Sequence, residues 1–188
     1  MDSLAIEKAG LSPLQNDLTA IQAIQNTNDL LNEISILQKK GVSALYSFYV
    51  YQDMKISSAY IPYADQGGLS LPDRDYYVSE DADSKEKRVK YMLHVAKMLQ
   101  FIGDDAEQAK VNAKKVLALE IAMATPRLDR VERRDRRKTY NMMTVADLQK
   151  LTPAVNWNAL IKGVGITKVD SLNVSQPKYM TALQTIFT

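Results

Sequence analysis

The chain has 188 residues, of which 46% are hydrophobic and 24% are charged, as expected for one domain or a large piece of one. Its formal net charge of +2 provides no overall field that would attract nucleic acid or an anionic membrane. It contains no cysteine, which excludes disulfides, thiolate metal sites and a cysteine nucleophile. No apolar stretch approaches the roughly 18 residues that a membrane-spanning helix needs. Residues 1–5 lack the basic and apolar regions of a signal peptide.

The first 41 residues predict two helices. Residues 12–15 have the pattern of a capping box with Pro13 at the first helical position, which predicts a helix to about residue 26. A second helix is expected from Thr27 or Asn28, with Gly41 just beyond its end. Its apolar side would consist of Leu30, Leu31, Ile34 and Leu37.

Two short segments then change to tyrosine, phenylalanine and valine, which prefer strands. They are residues 45–51 and 59–63, separated by a polar break. This pattern predicts a two-stranded hairpin. Because a hairpin alone is only marginally stable, we expect it to lie against helices.

A glycine-proline turn crowded with charge follows the hairpin. Its glycines tolerate positive φ, its proline fixes the chain direction, and an arginine lies between two aspartates. We predict a structural corner, and not a binding site, at Gly67, Gly68, Pro72, Asp73, Arg74, Asp75, Tyr76 and Tyr77. Asp73, Asp75 or backbone carbonyls should hold Arg74, and the paired tyrosines should pack the corner onto neighbouring helices.

Five further helices are expected after the corner. The first covers about residues 83–103, with a buried stripe of Val89, Met92, Leu93, Ala96 and Leu99. The second runs from Asp104 or Asp105 to before Pro126, with Ala109, Ala113, Val116, Leu117 and Ile121 facing inward. Shorter helices are predicted after Thr144, around Trp157 and from Pro177, with an extended segment at residues 172–174. The predicted fold is therefore mainly α, with one small β-hairpin.

Few residues could carry catalysis. His94 is the single histidine, and Lys90 and Lys97 share its predicted helix face, so we expect it on a solvated surface and not at a metal. Glu120 interrupts an apolar stripe, which predicts either an ion pair with an arginine from residues 127–137 or a place at the edge of the stripe. No catalytic residue and no metal ligand is assigned to this chain.

Residues 127–138 contain seven basic and three acidic residues, a local net charge of +4. The acidic residues recur at every third position and no aromatic residue lies among them to stack on a base. The pattern favours an ion-paired connector over a nucleic-acid interface.

Two motifs resemble the neprilysin and endothelin-converting enzyme family of zinc metallopeptidases, which includes bacterial oligopeptidases. Residues 65–77 resemble its Gly-Leu-x-Leu-Pro-(Asp/Ser)-Arg-Asp-Tyr-Tyr segment. Residues 133–144 resemble its Arg-Asp-Pro and Tyr-Asn-x-Met-Thr segments through the connector residues Arg134, Asp135, Tyr140 and Asn141. Arg136 stands where the family has the proline.

The resemblance implies that residues 1–188 are an internal fragment of the family's N-terminal lobe, a helical lobe that covers the active-site cavity. In such enzymes the other lobe bears the zinc and the catalytic helix. The resemblance thus implies zinc in the parent protein, none in this fragment, oligopeptide substrates, and the catalytic lobe of the same chain as a partner. It also implies that this piece limits substrate size.

The alternative class is a free-standing helical protein-interaction domain. The predicted helix after Pro177 continues to residue 188 without a stop signal, which favours a fragment of a longer protein. For the parent, the resemblance favours the bacterial envelope, periplasmic or extracellular, over the cytoplasm.

Overall fold

The computed structural model describes residues 2–187, which contain ten α-helices and four β-strands. The prediction of a mainly α fold is confirmed. The elements are α1 (Ser3–Ala9), α2 (Gln15–Gln22), α3 (Thr27–Lys39), β1 (Tyr46–Gln52), β2 (Tyr60–Gln66), α4 (Asp75–Val78), α5 (Ala82–Phe101), α6 (Ala106–Ala124), α7 (Arg136–Thr139), β3 (Met142–Thr144), α8 (Val145–Leu151), α9 (Trp157–Gly163), β4 (Ser171–Val174) and α10 (Pro177–Phe187).

The β-structure is larger than the single hairpin that the sequence predicted. Strands β1 and β2 do form an antiparallel hairpin, but the sheet has four strands in the order β1-β2-β4-β3. Strand β4 pairs parallel to β2 through Tyr63–Asn173 and antiparallel to β3. These pairings join segments far apart in sequence, and β3 has only three residues, so local patterns could not reveal them.

The main core is formed by the inner face of this sheet together with helices that pack against it. Trp157 at the start of α9 and Tyr46 at the start of β1 are almost fully buried, and their rings meet edge-on at 5.2 Å. Tyr179 and Leu183 of α10 and Leu148 of α8 complete this centre. Burial of these large apolar side chains is the main stabilising contribution to the fold.

Helices α5 and α6 form a second, smaller packing unit. Ala96, Ala109 and Ala113 meet there, and such small side chains let two helices approach closely. The predicted stripe on α5 is partly wrong, since Val89 is 52% and Leu93 62% exposed. The buried face of α5 instead continues through polar side chains, with Ser84 buried and Arg88 half-buried, and hydrophobic periodicity cannot detect these.

Two helix starts also differ from the prediction. Ser12 begins a 3₁₀ turn without a capping hydrogen bond, and α2 ends at Gln22 rather than near residue 26. The cap of α5 is Asp81, whose side chain accepts from the Ser84 N–H, two residues before the predicted start at 83. Helix α3 begins at Thr27, and Gly41 beyond it has the positive φ of 84° that its position predicts.

Candidate functional site

The corner after β2 depends on the absence of side chains at its two glycines. Gly68 has φ of 75°, which meets the expectation that Gly67 or Gly68 holds a positive φ. A Cβ atom on Gly68 would lie 1.5 Å from the Ala44 carbonyl oxygen. A Cβ atom on Gly67 would lie 2.6 Å from the Tyr46 carbonyl carbon. Both glycines therefore allow the corner to pass directly over the backbone that enters β1.

A buried carboxylate anchors the corner to α6. Glu120 is 6% exposed, and its two oxygens accept hydrogen bonds from Ser70 Oγ at 2.7 Å and Tyr77 Oη at 2.8 Å. Tyr77 Oη in turn accepts from the Leu71 N–H at 2.7 Å. Burial is the main cause that raises the pKa of Tyr77 above its usual range, and the hydrogen bond to Glu120 also raises it. The prediction of an ion pair between Glu120 and an arginine is wrong, because hydroxyl groups of the corner donate hydrogen bonds to this carboxylate.

The charged residues of the corner lie nearer to solvent. Arg74 forms an ion pair of 3.2 Å with Asp75, while Asp73 accepts from the Asp75 N–H at 3.3 Å. Pro72 is exposed, and Lys87 lies over the half-buried ring of Tyr76. An exposed pair of this kind contributes under about 1 kcal/mol.

Arg88 of α5 supplies an anchor that the sequence did not reveal. Its Nη1 donates to the carbonyl oxygens of Tyr76 and Ser79, both at 2.8 Å. The ring of Tyr77 also meets Tyr91 of α5 edge-on at 6.4 Å. The corner is thus tied to α5 through its second half and to α6 through Glu120.

The connector residues flank α7, with Arg134 and Asp135 before it and Tyr140 and Asn141 between it and β3. Asp135 caps α7 and binds Arg137 through both carboxylate oxygens. Tyr140 Oη donates to the buried carboxylate of Asp53 at 3.1 Å. Arg134 is exposed.

Asn141 is fixed by a residue that sequence reasoning missed. Its backbone N–H donates to the side-chain oxygen of Asn173 at 2.6 Å, and its own side chain donates to the carbonyl oxygens of Lys138 and Val174. Asn173 is fully buried on β4 and also donates to the Thr139 carbonyl oxygen. The sequence does contain a signal for this role, namely an asparagine within an apolar strand. A buried side-chain amide requires hydrogen-bond partners.

The basic segment, residues 127–138, is divided between the interior and the surface. Arg127 is 6% exposed, whereas Arg137 and Lys138 form ion pairs with Asp135 and Glu132 on the surface. Two of the seven basic residues of this segment thus form ion pairs, so the predicted ion-paired connector describes its C-terminal end and not Arg127.

The residues present do not fit a zinc site. His94 is exposed on α5, and across residues 2–187 no three His, Cys, Asp or Glu side chains come together as metal ligands would. The same range contains no helix with the length and apolar character needed to cross a membrane.

Comparison with known proteins identifies the family. The model described as Peptidase family M13, which represents the N-terminal domain of that family, matches residues 1–188. The chain therefore belongs to the M13 metallopeptidases, the neprilysin and endothelin-converting enzyme group. It is 29% identical over 200 residues to endothelin-converting enzyme 1 of Homo sapiens and of Rattus norvegicus, covering 99% of this chain and 26% of each relative.

The fold is the same as in solved structures of this group. The open-state structure of the Mycobacterium tuberculosis zinc metalloprotease Zmp1 superposes with a TM-score of 0.91 at 30% identity, covering 99% of this chain and 29% of that one. PepO from Lactobacillus rhamnosis shares the fold at a TM-score of 0.75 and 18% identity. The chain thus spans less than a third of the length of these relatives.

Proposed function

We propose that this chain is the covering lobe of a zinc-dependent metalloendopeptidase that cleaves oligopeptides. The observation that carries the proposal is the superposition of nearly the whole chain on one part of Zmp1, a protein described as a zinc metalloprotease. The family match over residues 1–188 supports the same assignment.

In this proposal zinc and the catalytic groups belong to another part of the parent protein. The support is the poor ligand set of this chain, a single histidine on an exposed helix face. A catalytic zinc needs three protein ligands around one open position. The chain would instead contribute a wall of the substrate cavity, and its partner would be the catalytic lobe of the same polypeptide.

The corner and the connector have structural roles in this proposal. Glu120 and Arg88 fix the corner to two helices, and Asn173 fixes the connector to the sheet. We propose that Gly67–Tyr77 and residues 134–141 give the wall its shape and that neither contacts a reacting atom.

The size limit is tested on the complete parent enzyme. One cleavage sequence is placed in peptides of increasing length and in an unfolded protein, and kcat/KM is measured for each. An enclosed cavity predicts efficient cleavage of the short peptides and a steep fall for the protein. Equal kcat/KM for the peptides and the unfolded protein would remove the size-limiting role.

The rest of the open reading frame distinguishes this proposal from a free-standing interaction domain. A His-Glu-x-x-His motif, which places two zinc ligands one helical turn apart, is expected downstream. Its absence would favour the interaction domain.

The proposed location of the parent is the bacterial envelope, and cell fractionation with an antibody against this chain tests that location.

A further inference from the structure

A polar cavity of about 310 Å³ lies between the corner and the start of the basic segment. Three arginines line it, namely Arg74, Arg127 and Arg133. Asp73 is the one acidic residue among its described lining residues. The cavity therefore has an excess of positive charge that the overall net charge of +2 does not indicate.

Arg127 is buried without an acidic partner. Its Nε donates to the Met123 carbonyl oxygen, and its Nη2 donates to the Gly67 carbonyl oxygen and to Tyr179 Oη. All these acceptors are neutral, and among residues 2–187 no carboxylate lies within ion-pair distance of this guanidinium. Nη1 donates to no group in the same range. A buried cation without a counterion is costly, and burial lowers the pKa of Arg127.

The other two arginines also have unused donors. Arg74 Nε is buried and has no hydrogen-bond partner in the described chain, although its Nη1 contacts Asp75. The exposed side chain of Arg133 makes no ion pair with any carboxylate of residues 2–187. Each guanidinium that lines the cavity therefore retains N–H groups that an additional acceptor could use.

We propose that this cavity binds a small oxyanion, a phosphate or a carboxylate. The planar fork of a guanidinium group can donate to two oxygens of a carboxylate or a phosphate at once, which no other side chain does as well. A cavity of this volume holds a small anion with its waters and excludes a nucleic-acid duplex. The anion would supply the negative charge that Arg127 lacks. The proposal concerns this chain alone and does not depend on the peptidase assignment.

The test is thermal unfolding of the chain in sodium phosphate, with sodium chloride at matched ionic strength as the reference. We expect phosphate to raise Tm in a saturable way beyond the effect of chloride, because a ligand that binds only the folded state stabilises it. Arg133→Gln is the test variant, since its exposed side chain can be removed without disturbing the core. It should raise the half-maximal phosphate concentration by about tenfold, the effect of one lost charge-assisted hydrogen bond.

Arg130→Gln is the matched control, because Arg130 is exposed in the same segment and does not line the cavity. Acetate is titrated in parallel to represent a carboxylate side chain. The responses of Tm to phosphate and to acetate then show which of the two anions the cavity binds. A Tm response that chloride reproduces, or that Arg130→Gln weakens as much as Arg133→Gln, would overturn the proposal. Nε–Hε resonances of Arg74 and Arg127 provide a second measurement, and their failure to shift with either anion would also overturn it.

Discussion

Gly68 combines a left-handed backbone with the closest contact at any glycine of the described chain. Its φ is 75°, and a Cβ atom would lie 1.5 Å from the Ala44 carbonyl oxygen. We expect Gly68→Ala to destabilise the protein well beyond the roughly 1 kcal/mol that positive φ alone costs. The measurement is the free energy of unfolding in urea.

Gly165→Ala is the control for backbone strain. Gly165 has φ of 93°, yet a Cβ atom there meets nothing within 4 Å. Its loss should therefore be about 1 kcal/mol, or roughly 2–4 °C in Tm for a chain of this size. If the two variants lose equal stability, close packing of the corner on the segment before β1 is not important for the fold.

The Tyr77 hydroxyl links a backbone N–H of the corner to the buried carboxylate of Glu120 on α6. It donates to Glu120 and accepts from the Leu71 N–H. Tyr77→Phe should cost about 1–3 kcal/mol, because it removes one of the two hydroxyl donors to a buried carboxylate and the acceptor of an N–H group. Tyr60→Phe is the control, since Tyr60 is 73% exposed. Equal unfolding free energies for the two variants would contradict the proposed anchor.

Among the elements, β4 holds the connector through one polar side chain. Asn173 accepts from the Asn141 N–H and donates to the Thr139 carbonyl oxygen, so it holds the connector against the centre of the sheet. Asn173→Ala should cost about 2 kcal/mol or more, because both backbone groups lose their partner. Asn158→Ala, on an exposed position of α9, provides the control in the same thermal scan. A Tm within a degree of that control would show that the connector is held by other contacts.

Elements with local signals could be predicted from the sequence, and those with long-range partners could not. Helix α3 has its apolar face, its terminal charges and Gly41 within 15 consecutive residues, and it begins and ends as expected. The hairpin of β1 and β2 is equally local. The pairing of β2 with β4 joins residues more than a hundred positions apart, so no local pattern encodes it.

The same distinction applies to the candidate site. The glycine-proline corner is a local motif, and its position was predicted together with the need for positive φ. The partners of the buried Glu120 and Arg127 come from distant parts of the chain, at Tyr77 and Tyr179. Charge pattern alone predicted ion pairs for Glu120 and Arg127, whereas in the structure the hydrogen-bond partners of both are neutral hydroxyl and carbonyl groups.

For the molecule as a whole, the decisive prediction concerns zinc. Across residues 2–187 no three candidate ligands come together, and His94 lies exposed on α5. We expect tag-free protein to bind zinc no more tightly than a single surface histidine does, because one imidazole without neighbouring ligands cannot complete a coordination shell. Calorimetric titration measures this affinity, and His94→Ala should remove whatever weak signal remains. The same preparation should hydrolyse no peptide that the parent enzyme cleaves. Stoichiometric zinc binding at submicromolar affinity would contradict the proposed assignment of zinc to another part of the parent protein, because it would place a metal site in this chain.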